Sequence, residues 1–295
     1  MAGYKVVLTM NPLLRSFLFV PAADDRLFDS ACDKECDVVI LDLEDGTHAI
    51  RKQFARKNLK TRYSLLSKAS KTIAVRVNGG LLSLAEDLVA AVLPGLDLLV
   101  IPKVEHARDV QIIAAAVNQL EKDNGMALGH VKFLLQIESA TALPRMHDIA
   151  TADARVMGMM LGSEDFSLDL GGYPTEELLL TPSLMLLYAA RAADIQPIGF
   201  IASIANLGDI NEFRQVLNRS RSLGFRGAAV VHPKFVNAIN ECYTPTANQV
   251  AEAKEIVDAF EAADRDGIAV IKLGELMIDK PVYRRALQTL AESRS

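Results

Sequence analysis

The sequence predicts an α/β protein built as a (β/α)8 TIM barrel with a C-terminal helical extension. Three observations carry that prediction. Eight short apolar, β-branched runs alternate with longer Ala-, Leu-, Lys- and Glu-rich stretches between Phe17 and Pro233. The runs are apolar almost throughout, as strands of a parallel sheet buried on both faces must be. Seven of the eight end in polar residues, which a barrel gathers at one mouth. A doubly wound open sheet is the rival architecture. No GxGxxG follows the first run, which weakens its dinucleotide-binding version.

The runs, in order, are FLFVPA (Phe17 to Ala22), VVILDLE (Val38 to Glu44), TIAVRVN (Thr72 to Asn78) and LDLLVIPK (Leu96 to Lys103). They continue with VKFLLQIE (Val131 to Glu138), RVMGMMLG (Arg155 to Gly162), IGFIAS (Ile198 to Ser203) and GAAVVHP (Gly227 to Pro233). Stretches such as Ala107 to Lys122 and Thr181 to Ala193 have helical length and spacing. The domain division expected is 1–240 for the barrel and 241–295 for the extension. In the extension, Ala251 to Ala263 reads as an amphipathic helix, Asp264 to Gly267 as a turn and Val282 to Glu292 as a last helix. This tail exceeds what a barrel needs and suits a lid, an oligomer arm, or both.

Composition bounds the function. With 32 basic and 37 acidic residues the formal charge is −5, which argues against a mainly nucleic-acid-binding surface. Half the residues are hydrophobic, enough for a large core. No apolar run has the roughly 18 residues a membrane span needs. The segment MAGYKVVLTMNPLLRS lacks the parts of a secretory signal. Three cysteines are too few for a disulfide framework, so a reducing, cytoplasmic setting is expected. Cys32 and Cys36, four apart, read as core thiols on one helix face.

The chemistry sits at the run ends. Asp42, Glu44 and Asp45 end the second run, Arg76 and Asn78 the third, and Lys103 and Glu105 the fourth. Glu138 and Ser139 end the fifth, and Ser163, Glu164 and Asp165 follow the sixth. Glu138 and Asp165 lie at the ends of neighbouring strands. Two carboxylates with water and substrate oxygens suit Mg²⁺. Arg76 has the planar fork for a carboxylate or enolate oxygen, or for an ion pair with Glu44 or Asp42. A metal and an arginine facing one oxygen-rich substrate suit a developing enolate. Lys103 offers another route, a Schiff-base lysine. Between Arg51 and Lys71 there are eight basic residues and no acidic one. That run reads as a solvated helix face. Alternatively Lys52 and Arg56, which share a face, reach ligand phosphates near the mouth.

The ordered motifs resemble the citrate lyase β-subunit-like branch of the HpcH/HpaI aldolase family. They are RSFLFVPA, VVILDLEDG, KQFAR, VRVNG, IPKVE, LLQIESATAL, LGSEDFSLDLG, LLYAARAADIQPI and LGFRGAAVVHPKFVNAIN. The resemblance implies a Mg²⁺-dependent carbon–carbon lyase of 3-hydroxyacyl-CoA thioesters, giving a 2-keto acid and acetyl-CoA. It implies that Glu138 and Asp165 bind the metal and that Arg76 holds the keto-acid fragment. Glu44 and Asp45 would order metal-bound water and Arg76, and Lys52 and Arg56 would lie towards the CoA phosphates. LMIDKPV (Leu276 to Val282) resembles the family's lid motif, whose aspartate, here Asp279, serves a neighbouring subunit as acid or base. A homo-oligomer, a trimer or hexamer, follows. The alternatives are a citrate lyase β subunit acting on an acyl-carrier-protein thioester, or a non-catalytic CoA-binding relative. Three segments depart from the family's pattern: EDGTH after the second run, GGLLSLAEDL after the third, and IASIAN at the seventh. Asp279 also reads as a helix N-cap before Pro281.

Overall fold

In the computed structural model, residues 13–293 are described. The expectation for the N-terminal segment falls mainly on residues 1–12, outside that range. The chain forms two compact units, Leu14–Asn240 and a second holding residues 241–293.

The first unit is the barrel. Its strands are β1 (Ser16–Pro21), β2 (Val38–Asp42), β3 (Thr72–Arg76), β4 (Leu98–Ile101), β5 (Lys132–Ile137), β6 (Val156–Leu161), β7 (Gln196–Ile198) and β8 (Ala228–Val230). All pairings among them are parallel, in the order β7-β6-β5-β4-β3-β2-β1-β8. Two backbone hydrogen bonds cross the remaining seam: Gly199 N to Gly227 O at 2.8 Å and Arg226 N to Pro197 O at 3.0 Å. Gln196 Nε2 adds bonds to Leu14 O and Arg226 O. The result is the nearly closed barrel that the eight apolar runs predict.

Helices alternate with the strands: α1 (Asp25–Cys32), α2 (Lys52–Lys68), α3 (Leu81–Ala91), α4 (Ala107–Asp123), α5 (Met146–Ala150), α6 (Ser163–Asp169), α7 (Glu176–Ala192) and α8 (Ile210–Leu223). Their ends carry the expected chemistry. Asp24 caps α1 by accepting Leu27 N, and Thr175 caps α7. Asp209 and Glu212 form a capping box on α8. Inside the barrel, Phe17, Phe19, Val38, Ile40, Ala74, Val100, Leu134, Met160, Ile198 and Ala229 form one apolar cluster. These are alternate residues of each strand, so the interior is packed rather than open. At the N-terminal end, Arg155 bonds both oxygens of Glu121 and also Asn118 Oδ1 and Val131 O. Glu121 accepts two backbone N–H groups as well. This buried pair has every oxygen bonded, the condition under which burying charge is tolerated.

Two expectations need correction. Helix α1 ends at Cys32, and the buried Cys36 lies in the loop before β2, so the two thiols do not share a helix face. The seventh strand is Gln196–Ile198, ahead of the predicted IGFIAS. Gly199, at φ +142°, breaks it in a conformation that side chains rarely adopt.

Helix α9 (Val236–Tyr243) precedes the second unit's main elements, α10 (Ala247–Arg265), β9 (Ile271–Leu273), β10 (Leu276–Ile278) and α11 (Lys280–Glu292). The antiparallel hairpin β9–β10 is an addition to the helices the sequence predicts. Ala253, Ile256, Val257, Phe260, Ile278 and Ala286 make its core, and the Phe260 and Tyr283 rings stack at 4.8 Å. Among the described residues, no helix is long and apolar enough to cross a membrane.

Candidate active site

The C-terminal ends of the strands surround a cavity of about 330 Å³, where barrel enzymes place their chemistry. Asp42, Asp45, Arg76, Gln136, Gly162 and Asp165 are among its lining residues, together with apolar Phe19, Met160 and Ala229.

Strand register explains the arginine. Asp42 and Arg76 are the last residues of β2 and β3 and are register partners. Arg76 Nε reaches Asp42 Oδ1 at 2.8 Å and Nη2 reaches Oδ2 at 2.6 Å. Asp42 also accepts Glu44 N and Gly46 N, so it shapes the loop after β2 and anchors Arg76 together. The Arg76 guanidinium lies over the Phe19 ring at 4.9 Å. Burial lowers its pKa, but the hydrogen bonds and charge of Asp42, with Glu44 and Glu138, outweigh this and raise it. Arg76 is therefore a fixed cation.

Glu44 is buried behind that pair. Its Oε2 lies 3.0 Å from Arg76 Nη1, and its Oε1 accepts from Lys103 Nζ at 2.7 Å. Burial raises the Glu44 pKa against the opposing pull of Arg76 and Lys103. Lys103 ends its run at φ +55°, a conformation uncommon for residues with a side chain. Its side chain is 46% exposed, and Asp45 lies 4.0 Å from its Nζ. Burial lowers the Lys103 pKa, but the Glu44 bond and the charges of Glu44, Asp45 and Glu138 raise it overall. A lysine held as a cation is opposite to what Schiff-base chemistry requires.

Glu138, one residue past β5, is 3% exposed, and neither carboxylate oxygen has a hydrogen-bond partner. Its carboxyl is pushed up to about 8, first by burial, then by the charges of Glu44 and Asp165, against Arg76 and Lys103. Gly162 makes room for it: a Cβ there would sit 2.6 Å from Glu138 Oε1. Asp165 stands half-buried in the first turn of α6. Among the described residues, no group of three or more His, Cys, Asp or Glu side chains forms a metal-binding cluster. Mg²⁺ commonly uses only one or two carboxylates and keeps its water. An unpartnered buried carboxylate beside a second one fits that ion.

The remaining sequence candidates have other partners. Arg56 pairs with Asp87 Oδ1 at 2.7 Å and with Glu86, which ties α2 to α3. Lys52 bonds Asn78 Oδ1. The basic run is thus only partly a solvated face: Arg62 is buried against Asp25 and the Phe28 ring, while Lys57, Lys60 and Lys68 are exposed. Ser203 lies in the loop beyond β7, donating to Glu164 Oε1 at 2.6 Å. In the second unit, Asp279 Oδ1 accepts Val282 N at 3.1 Å and caps α11, with Pro281 in its first turn. The sequence reading passed over Gln136 and Gly162, and it left Asp42 only as an alternative partner of Arg76.

The HpcH/HpaI aldolase/citrate lyase profile matches residues 15–233, well over half of the chain. The chain belongs to that family. Family membership makes it a carbon–carbon lyase by descent, as its relatives' names indicate. The citrate lyase β subunit of Haemophilus influenzae is 34% identical over 294 residues, covering 96% of this chain and 98% of that protein. The L-malyl-CoA/β-methylmalyl-CoA lyase of Cereibacter sphaeroides is 32% identical over 274 residues, 86% of each. Among solved structures, CitE from Mycobacterium tuberculosis in complex with magnesium, acetoacetate and coenzyme A superposes with a TM-score of 0.74 at 25% identity. It covers 95% of this chain and 98% of its own.

Proposed function

We propose that this HpcH/HpaI family member is a Mg²⁺-dependent lyase that cleaves, or forms, 3-hydroxyacyl thioesters. The products of cleavage are a 2-keto acid and an acetyl thioester. The observation that carries this reading is the Glu138 carboxylate, buried and unpartnered and within electrostatic reach of Asp165 and Arg76.

Glu138 and Asp165 would hold the ion. When bound, Mg²⁺ supplies positive charge to substrate oxygens and stabilises the charge that develops on them. Arg76 has five N–H groups. Asp42 takes two of them and Glu44 faces a third. The remaining N–H groups would hold the keto-acid fragment through its carboxylate and its reacting oxygen. Asp42, Glu44 and Lys103 keep that guanidinium in place. Glu44 and Asp45 would order water near the metal. Asp279 of a neighbouring copy in a trimer or hexamer would take the substrate's hydroxyl proton. The carbon–carbon bond beside that hydroxyl-bearing carbon then breaks, and its electron pair becomes the enolate of the acetyl thioester. A proton on the enolate carbon completes the product. Lys52 would lie towards CoA phosphates. Arg56 would join it only by leaving Asp87 and Glu86.

A second reading places the thioester on a carrier protein. The 34% identity to citrate lyase β subunits over nearly their full length favours it. The test is product release from malyl-, citramalyl-, β-methylmalyl- and citryl-CoA, each with Mg²⁺ and with EDTA. Mg²⁺-dependent release of glyoxylate, pyruvate or oxaloacetate supports the first reading. Cleavage seen only with a carrier-borne thioester moves the function to the second. No cleavage with either rejects the lyase reading for this chain.

A further inference from the structure

Two unpartnered side chains border the space above Gly162, and only one of them, Glu138, enters the reading above. The other is Gln136, two residues earlier on β5 and so on the same, inward face. It is register partner to Met160 of β6. Gln136 is 6% exposed, lines the cavity, and its Oε1 is enclosed with no hydrogen-bond partner. Its Nε2 would lie 3.0 Å from a Cβ at Gly162, the same point that Glu138 Oε1 approaches to 2.6 Å. The cavity lining joins apolar Phe19, Met160 and Ala229 to polar Asp42, Arg76 and Asp165.

A buried amide without partners is unfavourable by about 1–3 kcal/mol. A leucine or methionine at this strand position would carry no such penalty. The amide therefore has a use that only a ligand in the cavity supplies. The last torsion of a glutamine side chain is soft and roughly two-fold. The group can present either its carbonyl or its NH2 to what arrives.

We propose that Gln136 is a substrate-contacting, specificity-determining residue that recognises a polar arm on the keto-acid fragment. The site then favours thioesters whose hydroxyl-bearing carbon carries a hydroxymethyl or carboxymethyl group over those with a methyl. This inference rests on the lyase reading. Discrimination of this kind is strong, because a ligand lacking the polar group leaves the buried amide unpaired.

The test is calorimetric titration of Mg²⁺-loaded wild type and Gln136→Met with pyruvate, hydroxypyruvate and oxaloacetate. Wild type should bind at least one of the two polar-armed acids about tenfold or more tighter than pyruvate. The two polar acids separate a hydroxymethyl from a carboxymethyl arm. Gln136→Met should bring that ratio to within about twofold. Gln136→Leu is the second variant if the first does not fold. Wild type binding pyruvate as tightly as both polar acids would overturn the inference, as would a preference that survives in the variant. If thioester cleavage is intact while the preference is flat, only this inference fails. If no keto acid binds, the lyase reading fails with it.

Discussion

Arg76 and Asp42 stand opposite each other at the ends of adjacent strands, joined by two near-parallel hydrogen bonds of 2.8 and 2.6 Å. Both side chains are largely buried. Removing one partner of such a pair leaves an uncompensated charge and costs about 3–5 kcal/mol. Asp42→Ala should lose that much in urea denaturation. The double variant Asp42→Ala/Arg76→Met should lose less than the single one. A single variant within about 1 kcal/mol of wild type would show that the pair does not anchor the site.

Gly162 is the space in which Glu138 sits. A methyl group there would come 2.6 Å from both Glu138 Oε1 and Cγ, closer than atoms pack. Gly162→Ala should displace Glu138 and weaken Mg²⁺ binding about 10- to 100-fold, the range seen when a ligand's support is disturbed. Calorimetric titration with Mg²⁺ measures it. Unchanged affinity would remove Glu138 from the metal site.

Glu138 also makes the metal-free protein sensitive to pH. Its folded pKa of about 8 lies above the ordinary value of 4.5. Between those limits the folded chain holds a proton that the unfolded chain has released. This contribution to stability is full below about 4.5 and is lost as pH rises through about 8. In EDTA, wild type should therefore lose stability from pH 5 to 8 relative to Glu138→Gln, in which that proton is absent. Because Mg²⁺ requires the carboxylate, binding near pH 7 should release close to one proton per ion. Parallel stability curves for the two proteins would contradict this.

Lys103 combines an unusual backbone with a specific partner, Glu44 at 2.7 Å. Lys103→Gly should relieve roughly 1 kcal/mol of backbone strain while deleting the side chain. Because it also strips buried Glu44 of its hydrogen-bond donor, thermal stability should not rise, and KM for the keto acid in the synthetic direction should rise by about tenfold, with Lys103→Arg retaining more function. Borohydride with a keto acid should leave Lys103 unmodified. A trapped adduct on Lys103 would point to the lysine route instead.

The barrel was legible because buried parallel strands are apolar along their whole length, which marks each run without any contact information. The seventh strand was misplaced for the same reason: IGFIAS stays apolar after Gly199 has ended the strand. Arg76, Glu138 and Asp165 were legible as polar residues at the ends of apolar runs. Gln136 was not, because it lies inside LLQIE and reads as strand interior. The bonds of Arg56 to Asp87, and of Lys103 to Glu44, join residues 31 and 59 positions apart. Only the packing of neighbouring strand–helix units in the folded sheet brings such pairs together. The hairpin Ile271–Ile278 escaped because its strands are three residues each, too short to show a period.

The most direct test compares Mg²⁺-dependent thioester cleavage by wild type and Glu138→Gln, with circular dichroism and urea denaturation on both. The account predicts a variant at least as stable as wild type in EDTA whose Mg²⁺-dependent rate is lower by about 10³-fold or more. Glu138→Gln turning over at the wild-type rate, with the same Mg²⁺ dependence, would contradict the assignment of this buried carboxylate to the metal and to the reaction.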